Sequence, residues 1–295
     1  MKYVLAGASG FLGKALARDL VADGHQIVRL VRRTPAAPDE VRWNPAEGEL
    51  DAAALGDPDV LVNLAGANIG RPWTPTYRNT IRESRVSTTA TLAAVASRLQ
   101  RPPVLITQSG IGGYGMDLGD QILTEDSRLG EGFLSDVVRL WEGALEPAKE
   151  AGSRVAALRT GVVLDRNAPA FQLLSLPFRV GLGGRLGSGK QYFPVVSLTD
   201  WLRAVRFVAE HDAVSGPVNI SLPAPATNEE FTAALATALH RPAFVPVPGV
   251  LMKVALGEFV WELIGSKRAL PSRLQSNGFT FHYPTVATAL SAALN

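Results

Sequence analysis

The segment KYVLAGASGFLGKALARDLVADG, residues 2–24, constrains the fold of this chain more than any other segment. A short apolar run ends in Gly7, and a helical periodicity then continues to Gly24. Gly7, Gly10 and Gly13 are spaced by three, which suits a tight turn, a close backbone approach to a pyrophosphate and close helix packing. The segment therefore predicts a strand, a phosphate-binding turn and a helix, as at the start of a dinucleotide-binding domain.

Further apolar runs bounded by glycine or proline alternate with helical stretches over roughly the first 160 residues. The strand candidates are QIVRLV, DVLVNLAG, PVLITQSG and RVAALRTGVVL. Their nearly continuous apolar character is typical of strands that are buried on both faces of a parallel sheet. We therefore expect an α/β fold built on a Rossmann doubly wound parallel sheet.

The pattern changes after Val163 to segments that are broken by proline and glycine. A helix is predicted near 199–210, a strand at PVNISL, and further helices from about Asn228 and from about Gly249. We predict a Rossmann domain over residues 1–163 and a smaller C-terminal substrate lobe over residues 164–295 that returns strands to the main sheet.

The end of the second predicted strand indicates which dinucleotide binds. An acidic side chain there would hold the ribose hydroxyls of NAD, whereas a basic one suits the 2′-phosphate of NADP. The sequence is VRLVRRTP, with Arg32 and Arg33 and no carboxylate before Asp39. We predict NADP (NADPH), with Arg32 as the phosphate ligand, because a guanidinium matches phosphate geometry. The alternative is a pair of solvated arginines.

Composition excludes several classes of function. The formal charge is +2 and the basic residues are dispersed, so no nucleic-acid partner is expected. The chain has no cysteine, which fits a reducing cytoplasm and excludes thiolate chemistry. The four histidines are scattered without ligand spacing, so no metal site is predicted.

The most apolar late segment, VPGVLMKVALGEFVWELIG, contains Lys253, Glu258 and Glu262, so we expect no membrane span. An amphipathic helix that docks on a membrane is an alternative. Val250, Val254 and Leu263 fall at core-facing intervals, which favours ordinary packing and no membrane partner.

Several motifs together point to one known family. They are the N-terminal glycine turn, NLAG at 63–66, Ser109 with Tyr114-Gly115 beyond it, and LTEDS at 123–127. These resemble the extended short-chain dehydrogenases/reductases. More closely, WE at 141–142, LRTGVVL at 158–164, GLGGRLGSGKQYFP at 181–194 and RALPSRLQSNGFTFHYP at 268–284 resemble an atypical, NAD(P)-dependent epimerase-like branch, often labelled nucleoside-diphosphate-sugar epimerases.

The resemblance implies a set of cofactor contacts. It places a pyrophosphate against Gly7, Ser9, Gly10, Phe11 and Leu12 of the glycine turn, and the adenosine ribose near Leu64, Ala65 and Gly66. It also places the cofactor beside Arg85, on the helix after NLAG, and beside Val163, after the fifth strand. Without the resemblance, Arg85 would be read as one solvated side chain on a polar helix face.

The catalytic pattern of the family is incomplete. Active members pair a Ser or Thr at the end of the fourth strand with a Tyr-x-x-x-Lys helix, and Ser109 matches the first position. Where the helix should carry Tyr and Lys, Phe133 and Val137 stand, and neither can exchange a proton. Tyr114 is the remaining phenol near Ser109, and either substitutes as the acid or lines the substrate pocket. Related sequences also carry Trp and His at the positions of Val195 and Ser197.

GRLGSGKQ, residues 184–191, fits only part of a P-loop, because Gln191 stands where Ser or Thr should bind magnesium. We interpret it as a loop over substrate or cofactor, with Arg185 and Lys190 as candidate anion contacts. Two hypotheses follow. The first is an NADP(H)-dependent oxidoreductase or epimerase acting on a small carbonyl or nucleotide-sugar substrate. The second is an NADP(H)-binding sensor or regulator without turnover.

Overall fold

The computed structural model describes residues 1–294, apart from the side chains at positions 251, 255 and 256. Its strands are β1 (Lys2–Ala6), β2 (Gln26–Val31), β3 (Glu40–Asn44), β4 (Glu49–Leu50), β5 (Val60–Asn63), β6 (Val104–Gly110), β7 (Ile122–Leu123), β8 (Val155–Thr160), β9 (Val162–Leu164), β10 (Val195–Ser197), β11 (Gly216–Ile220) and β12 (Arg268–Ala269). Its helices are α1 (Phe11–Ala22), α2 (Pro75–Ala96), α3 (Phe133–Gly143), α4 (Glu146–Glu150), α5 (Pro169–Arg179), α6 (Leu198–Glu210), α7 (Asn228–Leu239), α8 (Gly249–Leu256), α9 (Trp261–Ile264), α10 (Ser272–Ser276) and α11 (Val286–Leu294).

Eight strands form the main sheet, in the order β11-β8-β6-β5-β1-β2-β3-β4. Neighbouring strands are parallel except β3 and β4, which are antiparallel. The chain moves outward from β1 through β2 and β3, then returns to β5 on the other side of β1. The point where the direction reverses lies between β1 and β5, where doubly wound sheets bind their ligands. The α/β fold with a Rossmann sheet, expected from the sequence, is confirmed.

Burial on both faces explains the continuous apolar character of the central strands. Tyr3 and Leu5 of β1 belong to one buried cluster, and Val4 and Ala6 belong to another, because successive side chains of a strand point to opposite faces. Helices α1 and α6 cover the first face, and helices α2 and α4 cover the second. Each fully buried large apolar side chain contributes roughly 1.5–3 kcal/mol.

The predicted strand RVAALRTGVVL is two strands, separated at Gly161. A Cβ on Gly161 would lie 2.5 Å from the carbonyl oxygen of Pro194, so only glycine permits this approach. After the break, β9 leaves the main sheet and pairs with β10. Val163, the predicted cofactor residue of this segment, lies opposite Val196 in that small sheet.

The C-terminal part of the chain packs into the main sheet and onto its core. Strand β11 pairs with β8 at the sheet edge, and Trp201 of α6 is fully buried in the same cluster as Leu5. The Asp200 carboxylate is also fully buried, and it accepts hydrogen bonds from the backbone amides of His282 and Tyr283. The boundary at residue 163 stays a prediction.

The prediction that Val250 and Val254 face the core is wrong. Both are turned outward, with exposures of 72% and 84%, and Met252 is buried instead. The chain leaves the helix at Gly257, where φ is +56°, so the interval from Val250 to Leu263 does not run along one helix. Among the described residues, no helix combines the length and the apolar character that crossing a bilayer requires.

Candidate functional site

The glycine turn between β1 and α1 is a close-packed backbone crossing. Gly7 has φ of +79°, and a Cβ at this position would lie 2.7 Å from the backbone nitrogen of Ala65. A Cβ on Gly13 would lie 2.2 Å from the carbonyl oxygen of Gly7. Side chains are therefore excluded at both positions, and the turn brings residues 7–10 against the loop after β5.

Gly10 precedes α1 and leaves its first turn open. No side chain caps this end of the helix, and a Cβ on Gly10 would meet only the carbonyl oxygen of Gly7, at 3.4 Å. The first amides of a helix have no acceptor within the helix, and they carry partial positive charge. Ser9 is exposed beside this end, and Phe11 and Leu12 are partly exposed. The arrangement suits an anion.

Leu64, Ala65 and Gly66 follow β5, and Leu64 and Ala65 lie directly against Gly7 of the turn. The Arg85 guanidinium lies against Gly66 and donates to the carbonyl oxygens of Ile81 and Ala67, each at 3.0 Å. Burial lowers the pKa of Arg85 to about 10. Arg85 is therefore anchored beside the loop and is not a solvated side chain on a polar face.

Arg32 and Arg33 have different surroundings at the end of β2. Arg33 donates twice to Glu40, whose side chain is buried, and the amide of Ala36 donates to the same carboxylate. The hydrogen bond from Arg33 and the one from Ala36 lower the pKa of Glu40. Arg32 is exposed, and no ion pair involves it among the described residues. Of the two cations, Arg32 is the one available to a ligand.

Ser109 belongs to a buried charged cluster with Glu142 and Arg159. The Ser109 hydroxyl donates to Oε1 of Glu142 at 2.7 Å. Arg159 donates to the same carboxylate from Nε at 2.9 Å and from Nη2 at 2.7 Å. Burial lowers the pKa of Arg159, but the hydrogen bonds and charge of Glu142 outweigh it and raise that pKa. While this cluster holds, the Ser109 oxygen can accept a hydrogen bond and has no proton left to donate.

Tyr114 lies in the interior with an exposure of 1%. Its hydroxyl lies 2.9 Å from the carbonyl oxygen of Thr124 and 2.8 Å from Oδ1 of Asn219, and donates its proton between these acceptors. Burial raises the pKa of Tyr114, although Arg159 opposes the shift. This geometry supports neither proton transfer nor pocket lining, the two roles that the sequence left open, and favours a structural role.

Helix α3 presents apolar side chains where a catalytic phenol and amine would be expected. Gly112 and Gly113 lie just beyond β6. A Cβ on Gly112 would be 3.0 Å from the side chain of Leu134, and a Cβ on Gly113 would be 2.6 Å from the side chain of Val138. The structure thus turns Leu134 and Val138 toward the end of β6. The sequence puts the Tyr and Lys positions at Phe133 and Val137, and the structure puts Leu134 and Val138, one residue later, at the end of β6. Neither pair carries a phenol or an amine.

Phe133 faces a different neighbour. Its ring meets that of Trp73 edge to face, with centroids 5.1 Å apart, and Trp73 meets Phe259 in the same way at 5.8 Å. Arg78 lies over the Phe133 ring and pairs with Glu258. These contacts fasten the segment after α8 to the loop before α2. The side chain of Val137 is buried.

Sequence reasoning missed Glu142 and Arg159 as members of the site. WE at 141–142 and LRTGVVL at 158–164 were the available signals, since both mark the family resemblance. Spacing alone could not join them to Ser109, because they come from α3 and β8. No cluster of potential metal ligands occurs among the described residues.

Comparisons with known proteins identify related chains over the full length. The NAD dependent epimerase/dehydratase family matches residues 3–131, and a domain of unknown function (DUF1731) matches residues 247–293. Epimerase family protein ML0860 of Mycobacterium leprae is 42% identical over 98% of this chain and 94% of its own length. Epimerase family protein SDR39U1 of Mus musculus is 36% identical over 98% of each chain.

Solved structures agree with this relationship. Human epimerase family protein SDR39U1 (isoform 2), determined with NADPH, has a TM-score of 0.90 and 32% identity, with 99% of both chains covered. The nucleoside-diphosphate sugar epimerase of Corynebacterium glutamicum has a TM-score of 0.82 and 34% identity. The match covers 100% of this chain and 58% of that one. MoeE5, in complex with UDP-glucuronic acid and NAD, shares only the fold, at 20% identity and a TM-score of 0.76.

Proposed function

This chain belongs to the epimerase family, and on that premise we propose that it is an NADPH-dependent oxidoreductase or epimerase. Its substrate would be a small molecule with a carbonyl group or its hydroxyl counterpart, free or linked to a nucleotide. One observation carries the proposal: the uncapped helix end at Gly10 and the exposed Arg32 follow the neighbouring parallel strands β1 and β2, so two candidate phosphate ligands lie at one edge of the sheet.

The residues of this edge fit a dinucleotide. Gly7 holds the turn close to the loop after β5, Gly13 holds α1 close to the turn, and the uncapped amides after Gly10 are the proposed ligands of the pyrophosphate. Ser9, Phe11, Leu12, Leu64, Ala65, Gly66 and Val163 are the further residues that we propose around the cofactor, with Arg85 anchored behind Gly66. Arg32 binds the 2′-phosphate, which distinguishes NADPH from NADH. The complex of human SDR39U1 with NADPH supports this assignment.

When bound, the nicotinamide supplies or removes a hydride at its C4 atom. Ser109 is proposed at the reacting end, where its oxygen accepts a hydrogen bond from a substrate hydroxyl while its own O–H donates to Glu142. The ion pair of Glu142 with Arg159 fixes that orientation. Leu134 and Val138 form an apolar wall at the end of β6. The proton needed for turnover therefore does not come from the positions of α3 where the family carries Tyr and Lys.

The alternative of a cofactor-binding sensor without turnover is not favoured by membership of the epimerase family. We propose a cytoplasmic location on the absence of cysteine, and no nucleic-acid partner on the dispersed basic charge.

The test supplies NADPH deuterated at C4, in separate pro-R and pro-S forms, with panels of carbonyl compounds and nucleoside-diphosphate sugars. Mass spectrometry of the products measures deuterium transfer, and NMR measures the formation of an epimer. Gly10→Ala serves as the control that lacks the pyrophosphate site. If NADPH binds but neither label transfer nor an epimer is found across both panels, the alternative without turnover replaces the proposal.

A further inference from the structure

Two segments, residues 166–190 and 241–257, are joined to each other through their backbones, and we call their exposed side chains together the basic–apolar surface. Backbone hydrogen bonds join them: the amide of Val245 donates to Gly183 at 3.1 Å, and the amide of Gly187 donates to Val247 at 2.9 Å. A Cβ on Gly184 would overlap the carbonyl of Val245, so the two backbones are in direct contact. The two segments are therefore adjacent where residues 183–187 meet residues 245–247.

Helix α5 exposes an apolar stripe on this surface. Leu173, Leu176 and Val180 follow at intervals of three and four, which places them on one side of a helix. Each is more than half exposed, as is Leu182 just beyond the helix. The opposite side of α5 is buried through Phe171 and Phe178, so the outward stripe is not needed for the packing of the helix.

The second segment continues the apolar character. Phe244 is 75% exposed, and Val250 and Val254 lie one helical turn apart on the outer side of α8. A single exposed apolar side chain is ordinary on a protein surface. A contiguous group of large exposed apolar side chains is unusual and marks a binding surface.

The charge of the two segments is strongly asymmetric, although Glu229 of α7 lies 3.9 Å from Arg185 beside them. The two segments contain six basic residues and no acidic residue, although the net charge of the whole chain is only +2. The remainder of the chain is therefore net negative. The basic residues are Arg166, Arg179, Arg185, Lys190, Arg241 and Lys253.

A second copy of this chain is a poor partner for this surface. A twofold contact would place the same patch on both subunits, so two positively charged surfaces would face each other. Such like-charge contact opposes association. An anionic bilayer complements both properties, because the apolar side chains enter the boundary between headgroups and acyl chains while lysine and arginine meet the phosphates.

We propose that the basic–apolar surface docks this protein on membranes that contain anionic phospholipid. The proposal does not depend on the cofactor or on turnover, since α5 and α8 carry it. It concerns docking on a membrane surface, the alternative to ordinary packing that Val250 and Val254 were expected to exclude by facing the core.

Co-sedimentation of the full chain with lipid vesicles tests the proposal. One set of vesicles contains phosphatidylcholine alone, and the other contains phosphatidylcholine mixed with phosphatidylglycerol. We expect the protein to sediment with the mixed vesicles and to stay in solution with the neutral ones. Raising the salt concentration should release it, because screening weakens the attraction to the headgroups.

Matched variants locate the surface. Leu176→Asp and Phe244→Asp should each weaken vesicle binding by about ten-fold, because each removes the insertion of a large apolar side chain. Lys253→Gln should weaken it roughly five-fold. Val21→Asp and Arg98→Gln change exposed residues outside the two segments and should leave binding unchanged.

Three results would overturn the proposal. The first is no sedimentation with the mixed vesicles, and the second is an equal loss of binding in Val21→Asp. The third is a dimer in solution that Phe244→Asp dissociates while vesicles bind no protein, which would assign the surface to a second copy of the chain. Circular dichroism of each variant confirms that the fold is retained before the comparison is made.

Discussion

The guanidinium of Arg33 and the carboxylate of Glu40 meet in two hydrogen bonds, from Nη1 to Oε2 at 2.8 Å and from Nη2 to Oε1 at 2.7 Å. Of the two adjacent arginines at the end of β2, only Arg33 takes part in this pair, and Arg32 remains exposed. Two neighbouring residues of the same type thus have separate roles: Arg33 holds the loop before β3, and Arg32 is open to a ligand.

Arg32→Gln should weaken NADPH binding by about ten- to one-hundred-fold, because a charge-assisted hydrogen bond to the 2′-phosphate is worth roughly 1.5–3 kcal/mol. NADH affinity should change little, since NADH lacks that phosphate. Isothermal titration calorimetry measures both. The double variant Arg33→Gln/Glu40→Gln removes the neighbouring pair without changing net charge, and should keep the preference for NADPH. An equal loss of NADH and NADPH binding in Arg32→Gln would remove Arg32 as the phosphate ligand.

Gly10→Ala and Gly13→Ala should separate cofactor binding from folding. A Cβ on Gly13 lies 2.2 Å from the Gly7 oxygen, so we expect a loss of about 1–3 kcal/mol in the free energy of unfolding. A Cβ on Gly10 meets only that oxygen at 3.4 Å, so stability should change by less than about 0.5 kcal/mol while NADPH binding is lost. Urea unfolding and cofactor titration measure the two effects. Retained NADPH binding in a folded Gly10→Ala variant would contradict the proposed pyrophosphate site.

Glu142→Gln should destabilise the fold by about 3–5 kcal/mol, because it leaves the buried Arg159 cation without a counter-charge. Asp136→Asn, on the same helix, removes a solvent-exposed ion pair with Arg139 and should cost less than about 1 kcal/mol. Urea unfolding of both variants provides the comparison. Similar small losses in the two would show that the Glu142 carboxylate is dispensable for stability.

Glu40 should contribute to the acid sensitivity of the fold. Its pKa is lowered in the folded state, so its contribution to stability is present above its unfolded pKa of about 4.3 and is lost as the pH falls through the folded value. Glu40→Gln should therefore lose less free energy of unfolding than the parent chain between about pH 5 and about pH 3. Unfolding in urea across this range measures the difference. Parallel curves for the two proteins would contradict the assignment.

The first strand, turn and helix could be predicted from the sequence because every signal in them is local. The spacing of Gly7, Gly10 and Gly13 indicates a close backbone crossing within seven residues, and the apolar runs indicate strands that are buried on both faces. The pairing of Arg33 and not Arg32 could not be predicted, because it depends on Glu40, which β3 brings alongside β2.

The interior of the site depends on contacts that are distant in sequence. Tyr114 is a core residue whose hydroxyl donates to Asn219 of β11, and the hydroxyl of Ser109 donates its hydrogen bond to Glu142 of α3. Val250 and Val254 do share one side of α8, but that side faces outward, and Gly257 ends the helix before Leu263 is reached. A periodicity argument holds only while the chain stays in one helix.

The position of β11 has a consequence for how this protein is made. Residues 216–220 pair with residues 156–160 of β8, so β8 remains an open edge until they arrive. An unpaired strand edge can pair with other chains, and strands buried on both faces are apolar. During synthesis the N-terminal half therefore stays vulnerable to aggregation until Gly216–Ile220 has left the ribosome. A protein truncated after the fifth predicted strand would retain that vulnerability permanently.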